Sequence, residues 1–121
     1  MTTTDDLMTI EKQFWTGDAD FYRQNLDKSC LLAFTEMSGA YGREDVAKTI
    51  KKGNRWRDLD LSMKGLVEPT ENTAILTYEA KAIRESGEPY KALVSTGYVK
   101  RSDGWKMTFH AQTPLDAKKA A

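Results

Sequence analysis

Apolar residues in the first part of the chain recur at helical spacing. Leu7, Ile10 and Phe14 fall three and four apart with Met8 and Trp15 beside them, which predicts an amphipathic helix. Thr4 is placed to cap its start, Asp5 and Asp6 sit in its first turn where carboxylates complement the helix dipole, and Gly17 stops it. Asp18 then caps a second, short helix with Tyr22 and Leu26 on one side. The compact apolar run Cys30–Thr35 reads as a short strand, 38–42 as a loop, and Arg43–Lys52 as a third helix ended by Gly53, with Val46 and Ile50 inward.

Beyond Gly53 the period falls to two. Leu59, Leu61 and Met63 alternate with Asp58, Asp60 and Ser62, and Ala74, Leu76, Tyr78, Ala80 and Ala82 alternate with mostly polar neighbours. A turn at Ser86-Gly87-Glu88-Pro89 leads into a strand over 90–100, and Ser102-Asp103-Gly104 leads into another over 105–113. Helices gathered at the start and a meander of strands after them predict an α+β fold, three helices packed on a mostly antiparallel sheet. Parity then sorts the faces, because successive strand side chains point to opposite sides. Trp105, Met107, Phe109 and Ala111 join Leu76, Tyr78, Ala80, Ala92, Val94 and Tyr98 on the face the helices cover. Lys106, Thr108, His110 and Gln112 fall on the other, unless a bulge interrupts the last strand. That outer face also carries Ile75, Ile83, Leu93 and Val99, an apolar patch that predicts a homodimer burying it.

Composition narrows the function. At 121 residues and 13.7 kDa the chain makes one domain, with a core over 7–114 and a tail over 115–121. Eighteen basic side chains balance eighteen acidic ones, which weakens any reading as a nucleic-acid binder dependent on phosphate neutralisation. One cysteine and one histidine supply neither a disulfide nor a structural metal set, so no metal and no cofactor is expected. The start lacks the basic and apolar segments of a secretory leader, and no apolar run spans a bilayer. The expectation is a cytoplasmic protein without a membrane partner.

Phe14-Trp15, Gly17-Asp18 and Phe21-Tyr22 on the first helices are followed in order by Gly42-Arg43-Glu44, Leu76-Thr77-Tyr78, Pro89-Tyr90, Ala92-Leu93-Val94-Ser95, Gly97-Tyr98-Val99, Asp103-Gly104-Trp105-Lys106 and Phe109-His110. This order resembles the SnoaL-like branch of the nuclear transport factor 2-like superfamily, from about Leu7 to Pro114. The resemblance implies helices against a strongly curved sheet (the ketosteroid-isomerase-like, cystatin-like cone), a pocket inside the cone, and frequent dimerisation. It carries no catalytic set onto particular residues, because the superfamily hosts isomerases, cyclases, dehydratases, transport factors and stand-alone proteins.

The aromatic residues are the richest candidate constellation. Trp15, Tyr22, Phe34, Trp56, Tyr78, Tyr98 and Phe109 are the candidate lining of a ligand cavity, though stripes at these periods also serve as plain core. Buried hydroxyls on Tyr78 and Tyr98 require partners. His110 is the one imidazole available for proton transfer, but parity turns it outward. Cys30 reads as a small apolar strand residue. The basic run Lys51, Lys52, Arg55 and Arg57 around Trp56 reads as helix-end and edge decoration, or as a mouth for an anionic ligand; Asp58 and Asp60 read as solvated. Two principal readings follow. The first is a dimeric module binding a small apolar or aromatic molecule. The second is an isomerase, cyclase or dehydratase that abstracts a proton next to a carbonyl, using Asp58, Asp60, His110 or a helix-borne acid such as Glu11, with Tyr78 or Tyr98 stabilising the oxyanion. A dimer whose cone is filled by its own side chains is the third.

Overall fold

A computed structural model describes residues 3–34, 39–50 and 55–115. The elements run α1 (Thr3–Thr16), α2 (Ala19–Asn25), β1 (Leu26–Ala33), α3 (Arg43–Ala47), β2 (Trp56–Thr70), β3 (Thr73–Arg84), β4 (Pro89–Arg101) and β5 (Gly104–Pro114). The fold is α+β, with α1 and α2 ahead of a five-stranded mixed sheet in the order β1-β5-β4-β3-β2 and α3 between β1 and β2. β2 to β5 form an antiparallel meander, and β1 adds to its far edge parallel to β5.

Each helix boundary has a local cause. α1 begins at Thr3, so Thr4 lies within its first turn rather than at the cap. The stripe Leu7, Glu11, Phe14 and Trp15 is buried, one position per turn against the sheet. Asp18 caps α2 as its position predicts, its Oδ1 accepting from the Phe21 N–H at 2.9 Å. α3 is shorter than the apolar spacing suggests. After Ala47 the chain tightens, with the Thr49 and Ile50 amides donating to Val46 and Ala47, and residues 51–54 lie outside the described set. β1 starts at Leu26, four residues before the apolar run, because Asp27 is buried in a two-pronged ion pair with Arg101 at 2.8 and 3.0 Å. The expected tail lies outside the described residues apart from Leu115, whose amide donates to the Lys91 carbonyl.

Bulges bend the long strands. In β2, Asp58 takes a left-handed φ of 53° where the register with β3 slips, and a second slip falls between Met63 and Gly65. The bulge on β5 matters most for function. On β4, Gly97 and Tyr98 are neighbours, but they pair with Phe109 and Met107 on β5, so Thr108 is an extra residue. One extra residue inverts every later side chain. Met107 stays inside, whereas Phe109 turns out to 41 % exposure and His110 turns in to 4 %. The parity assignment of Phe109, Ala111, His110 and Gln112 is therefore corrected beyond Thr108.

The outer face carries an apolar row at one register line. Val67 pairs with Ile75, Ile75 with Gly97, Gly97 with Phe109, and Phe109 with Leu31, so the row crosses all five strands. Its large members are 59, 48, 41 and 53 % exposed for Val67, Ile75, Phe109 and Leu31. Leu93 is also exposed, while Ile83 and Val99 are half-buried.

Candidate functional site

Between the helices and the inner face of the sheet lies a cavity of about 290 Å³. Phe14 and Trp15 from α1 and Tyr22 from α2 form one wall, and Leu32 and Phe34 on and after β1 form another. Thr49 and Ile50 after α3, with Arg55 and Trp56 entering β2, complete the side opposite Met107, His110 and Gln112 of β5. The rings interlock edge to face: Phe14 packs on Phe21 and Tyr22 at 4.9 and 5.0 Å, and Trp15 on Trp56 at 5.2 Å. Trp56 lies against Tyr90 at 5.3 Å, with the Arg84 guanidinium over both rings.

Arg55 has a structural task at this mouth. Its guanidinium donates to the Phe14, Trp15 and Gly17 carbonyls at 3.2, 3.2 and 2.8 Å, capping the end of α1, where a helix leaves carbonyls without partners. It also reaches the Tyr22 hydroxyl at 3.3 Å, and that hydroxyl donates to the Phe14 carbonyl at 2.6 Å. Burial pushes the Tyr22 phenol up to about 12, with the Arg55 charge opposing.

Behind His110 lies a buried polar cluster built around Glu11, which is 0 % exposed. Tyr78 donates to its Oε1 at 2.6 Å, and Tyr98 donates to its Oε2. Tyr78 in turn accepts from the Trp15 indole N–H at 2.9 Å, which ties the cavity wall to the carboxyl. Thr96 Oγ1 lies 3.2 Å from Oε2 and 3.0 Å from the Phe109 carbonyl. A hydroxyl has one proton to give. When Thr96 gives it to Phe109, its lone pair can accept from a protonated Glu11; when Glu11 is ionised, Thr96 can donate to it instead. Both protonation states are thus accommodated. Desolvation by burial outweighs the three hydroxyl hydrogen bonds and pushes the Glu11 carboxyl up to about 7. Tyr78 and Tyr98 lie well above the ordinary phenol range, first through burial and then through the nearby carboxylate.

His110 joins this cluster to the cavity. Tyr90 donates to Gln112 Oε1 at 2.7 Å, which directs the Gln112 amide nitrogen to His110 Nε2 at 3.0 Å. That amide donates, so Nε2 accepts and the imidazole proton sits on Nδ1. Nδ1 lies 3.7 Å from Glu11 Oε1 and has no hydrogen-bond partner among the described residues. Burial pushes the imidazole down to about 4, so it is neutral at neutral pH.

The candidate lining divides in three. Trp15, Tyr22, Phe34 and Trp56 border the cavity. Tyr78 and Tyr98 lie behind it, with their hydroxyls on Glu11. Phe109 is on the outer face and cannot border the cavity, because of the Thr108 bulge. Lys51 and Lys52 lie outside the described residues, whereas Arg57, Asp58 and Asp60 are exposed. Cys30 is half-buried, and burial raises its thiol. Two residues were not singled out by the pattern of aromatic positions. Glu11 carries a legible signal, a charge one turn from Leu7 and from Trp15 on the same buried stripe. Gln112 carries none, since only the bulge brings it inside.

No family model matches the chain, nor does any curated protein. Solved structures match over most of its length. A provisionally named ketosteroid isomerase of Parabacteroides distasonis superposes with a TM-score of 0.75 at 16% identity, covering 98% of this chain and 92% of that one. A nuclear-transport-factor-2-like protein of unknown function from Shewanella oneidensis gives 0.70 at 16% identity over 92% and 98%. A Nostoc punctiforme domain of unknown function with a cystatin-like fold gives 0.69 at 14% over 98% and 83%. The chain has the nuclear transport factor 2-like, ketosteroid-isomerase-like fold. No helix among the described residues is long and apolar enough to cross a membrane.

Proposed function

We propose that the protein binds a small, mainly apolar or aromatic molecule inside the cone and works as a homodimer. The observation that carries the binding reading is the cavity of about 290 Å³ walled by Phe14, Trp15, Tyr22, Phe34 and Trp56, with hydrogen-bonding groups only at a few points. Such a lining favours a flat ring system, with one polar end near His110 and Gln112. The dimer reading rests on the row Val67, Ile75, Phe109 and Leu31, which a second copy of the sheet would remove from water. Native mass spectrometry of the protein purified gently from its host tests both parts. A dimer carrying an added small mass is expected. A bare monomer that also fails to take up planar bicyclic aromatics, read by quenching of the Trp15 and Trp56 fluorescence, overturns the proposal.

A second reading is favoured by one observation, a buried carboxyl pushed up to about 7 directly behind the cavity's imidazole. In it the bound molecule is turned over by proton abstraction next to a carbonyl, as an isomerase, cyclase or dehydratase would do. Glu11 on α1 and His110 on β5 bring a buried carboxyl and an imidazole together on the inner side of the sheet.

A further inference from the structure

We propose that the molecule held in the cone is a flat ring system with a hydrogen-bond acceptor on its edge, and that the second amide N–H of Gln112 is the group that selects it. This rests on the binding reading and names the class of ligand. The lining has few polar groups, and most of their hydrogens are spent inside the protein. The Trp15 indole N–H donates to the Tyr78 hydroxyl at 2.9 Å, and the Tyr22 hydroxyl donates to the Phe14 carbonyl at 2.6 Å. Thr49 gives its proton to the Val46 carbonyl at 2.7 Å. The Arg55 guanidinium is turned to the end of α1 and to Tyr22. The imidazole proton sits on His110 Nδ1, a buried atom on the Glu11 side of the ring.

Gln112, which borders the cavity, is different. A primary amide has two N–H donors and one oxygen. Here the oxygen accepts from Tyr90 at 2.7 Å and one N–H goes to His110 Nε2 at 3.0 Å. The side chain is thus fixed at both ends of its amide, and its other N–H has no acceptor among the described residues. Water entering the cavity can serve that donor. A ligand that displaces the water must bring an acceptor of its own or leave the N–H unpaired in an apolar hollow. The spare lone pairs of Thr49 and Tyr22 make no matching demand for a donor. An oxygen already engaged in one hydrogen bond tolerates an empty lone pair better than an N–H tolerates having no acceptor. The Trp56 indole N–H also has no partner among the described residues. Its ring, however, is placed by stacking against Trp15 and Tyr90 and by Arg84, whereas the Gln112 amide is held by directional bonds before any ligand arrives.

Naphthalene and quinoline are probes of one shape that differ by a single ring nitrogen. Each is titrated into the ¹⁵N-labelled full-length protein at a pH where quinoline is uncharged, and affinity is read from the amide shifts. The quinoline-to-naphthalene affinity ratio is then compared between the unmodified protein and Gln112→Leu, which cancels the different hydration of the two probes. The ratio is expected to fall about tenfold or more in Gln112→Leu and to hold in Trp56→Phe and Thr49→Val. Circular dichroism checks that each variant is folded. In the unmodified protein, quinoline is expected to move one of the two Gln112 side-chain amide protons downfield, beyond any shift that naphthalene causes. That shift decides the matter alone if Gln112→Leu does not fold. A missing shift, a ratio unchanged in folded Gln112→Leu, or a ratio that collapses in Trp56→Phe instead overturns the role of Gln112 and leaves the binding reading standing. Binding of neither probe to the unmodified protein overturns the binding reading and this selection with it.

Discussion

The Glu11–His110 pair makes an unusual demand on the pH dependence of stability. In the unfolded chain the carboxyl has its ordinary value of 4.5 and the imidazole its ordinary 6.5. Folding raises the first to about 7 and lowers the second to about 4. Glu11 is raised, so its contribution is fully present below 4.5 and is lost as pH climbs through about 7. His110 is lowered, so its contribution is present above 6.5 and is lost as pH falls through about 4. Between 4.5 and 6.5 the unfolded chain carries the pair's single proton on the imidazole, and the folded chain carries it on the carboxyl. Equal proton counts mean zero slope, and the two opposing trends, each worth about 3 kcal/mol over its range, cancel. Asp27 and Glu79, lowered chiefly by their hydrogen bonds to Arg101 and Lys91, act at or below the bottom of this window. Urea unfolding at several pH values from 4.5 to 6.5 is therefore expected to give a flat profile for the unmodified protein. Glu11→Gln is expected to expose the His110 trend, stability rising with pH by about 1.4 kcal/mol per unit, and His110→Gln the opposite slope. An unmodified protein that already slopes by that amount, or variants whose profiles run parallel to it, would refute the proton count.

Four further outcomes are expected. Tyr78→Phe removes the hydroxyl between the Trp15 indole and Glu11 and leaves both short of a partner, so unfolding free energy should fall by about 2–3 kcal/mol with the fold kept by circular dichroism. Arg55→Met strips the guanidinium from the α1 carbonyls of Phe14 and Trp15 and from that of Gly17 just beyond, and should cost about 2 kcal/mol, read as a lowered Tm. Phe109→Lys places a charge in the middle of the outer apolar row and should give a monomer by sedimentation velocity where the unmodified chain sediments as a dimer. Deleting Thr108 should restore plain alternation on β5 and turn His110 to solvent, so that its NMR titration returns from about 4 towards the ordinary 6.5.

The architecture was legible because it rests on periodicity. The change from helical spacing to alternation after Gly53, and the turns at Gly87 and Gly104, marked the helices and strands without knowledge of any contact. Inner positions on β3 and β4, from Ala74 to Ala82 and from Tyr90 to Tyr98, follow that alternation because those two strands pair without a slip. What stayed hidden belongs to interruptions. A bulge is set by how a strand must bend to follow its neighbours, and Thr108 looks like any other strand threonine. Everything after it was therefore read inside out. Glu11 stayed only one candidate acid among several because a lone charge on a helix's apolar stripe is rare. Its partners come from β3 and β4, some 67 to 87 residues away along the chain.

The extra residue at Thr108 also bears on how distant members of this fold can be compared. At 14–16% identity few matched letters pin the register of β5, and a slide by a single position leaves the strand's length unchanged. Yet it exchanges an imidazole for a phenyl ring at the wall of the hollow. Matching relatives column by column will then equate groups that occupy opposite sides of the sheet. Equivalence has to be traced through the ladder, by asking which side chain lies beside Thr96 rather than which letter stands at a given place in the string.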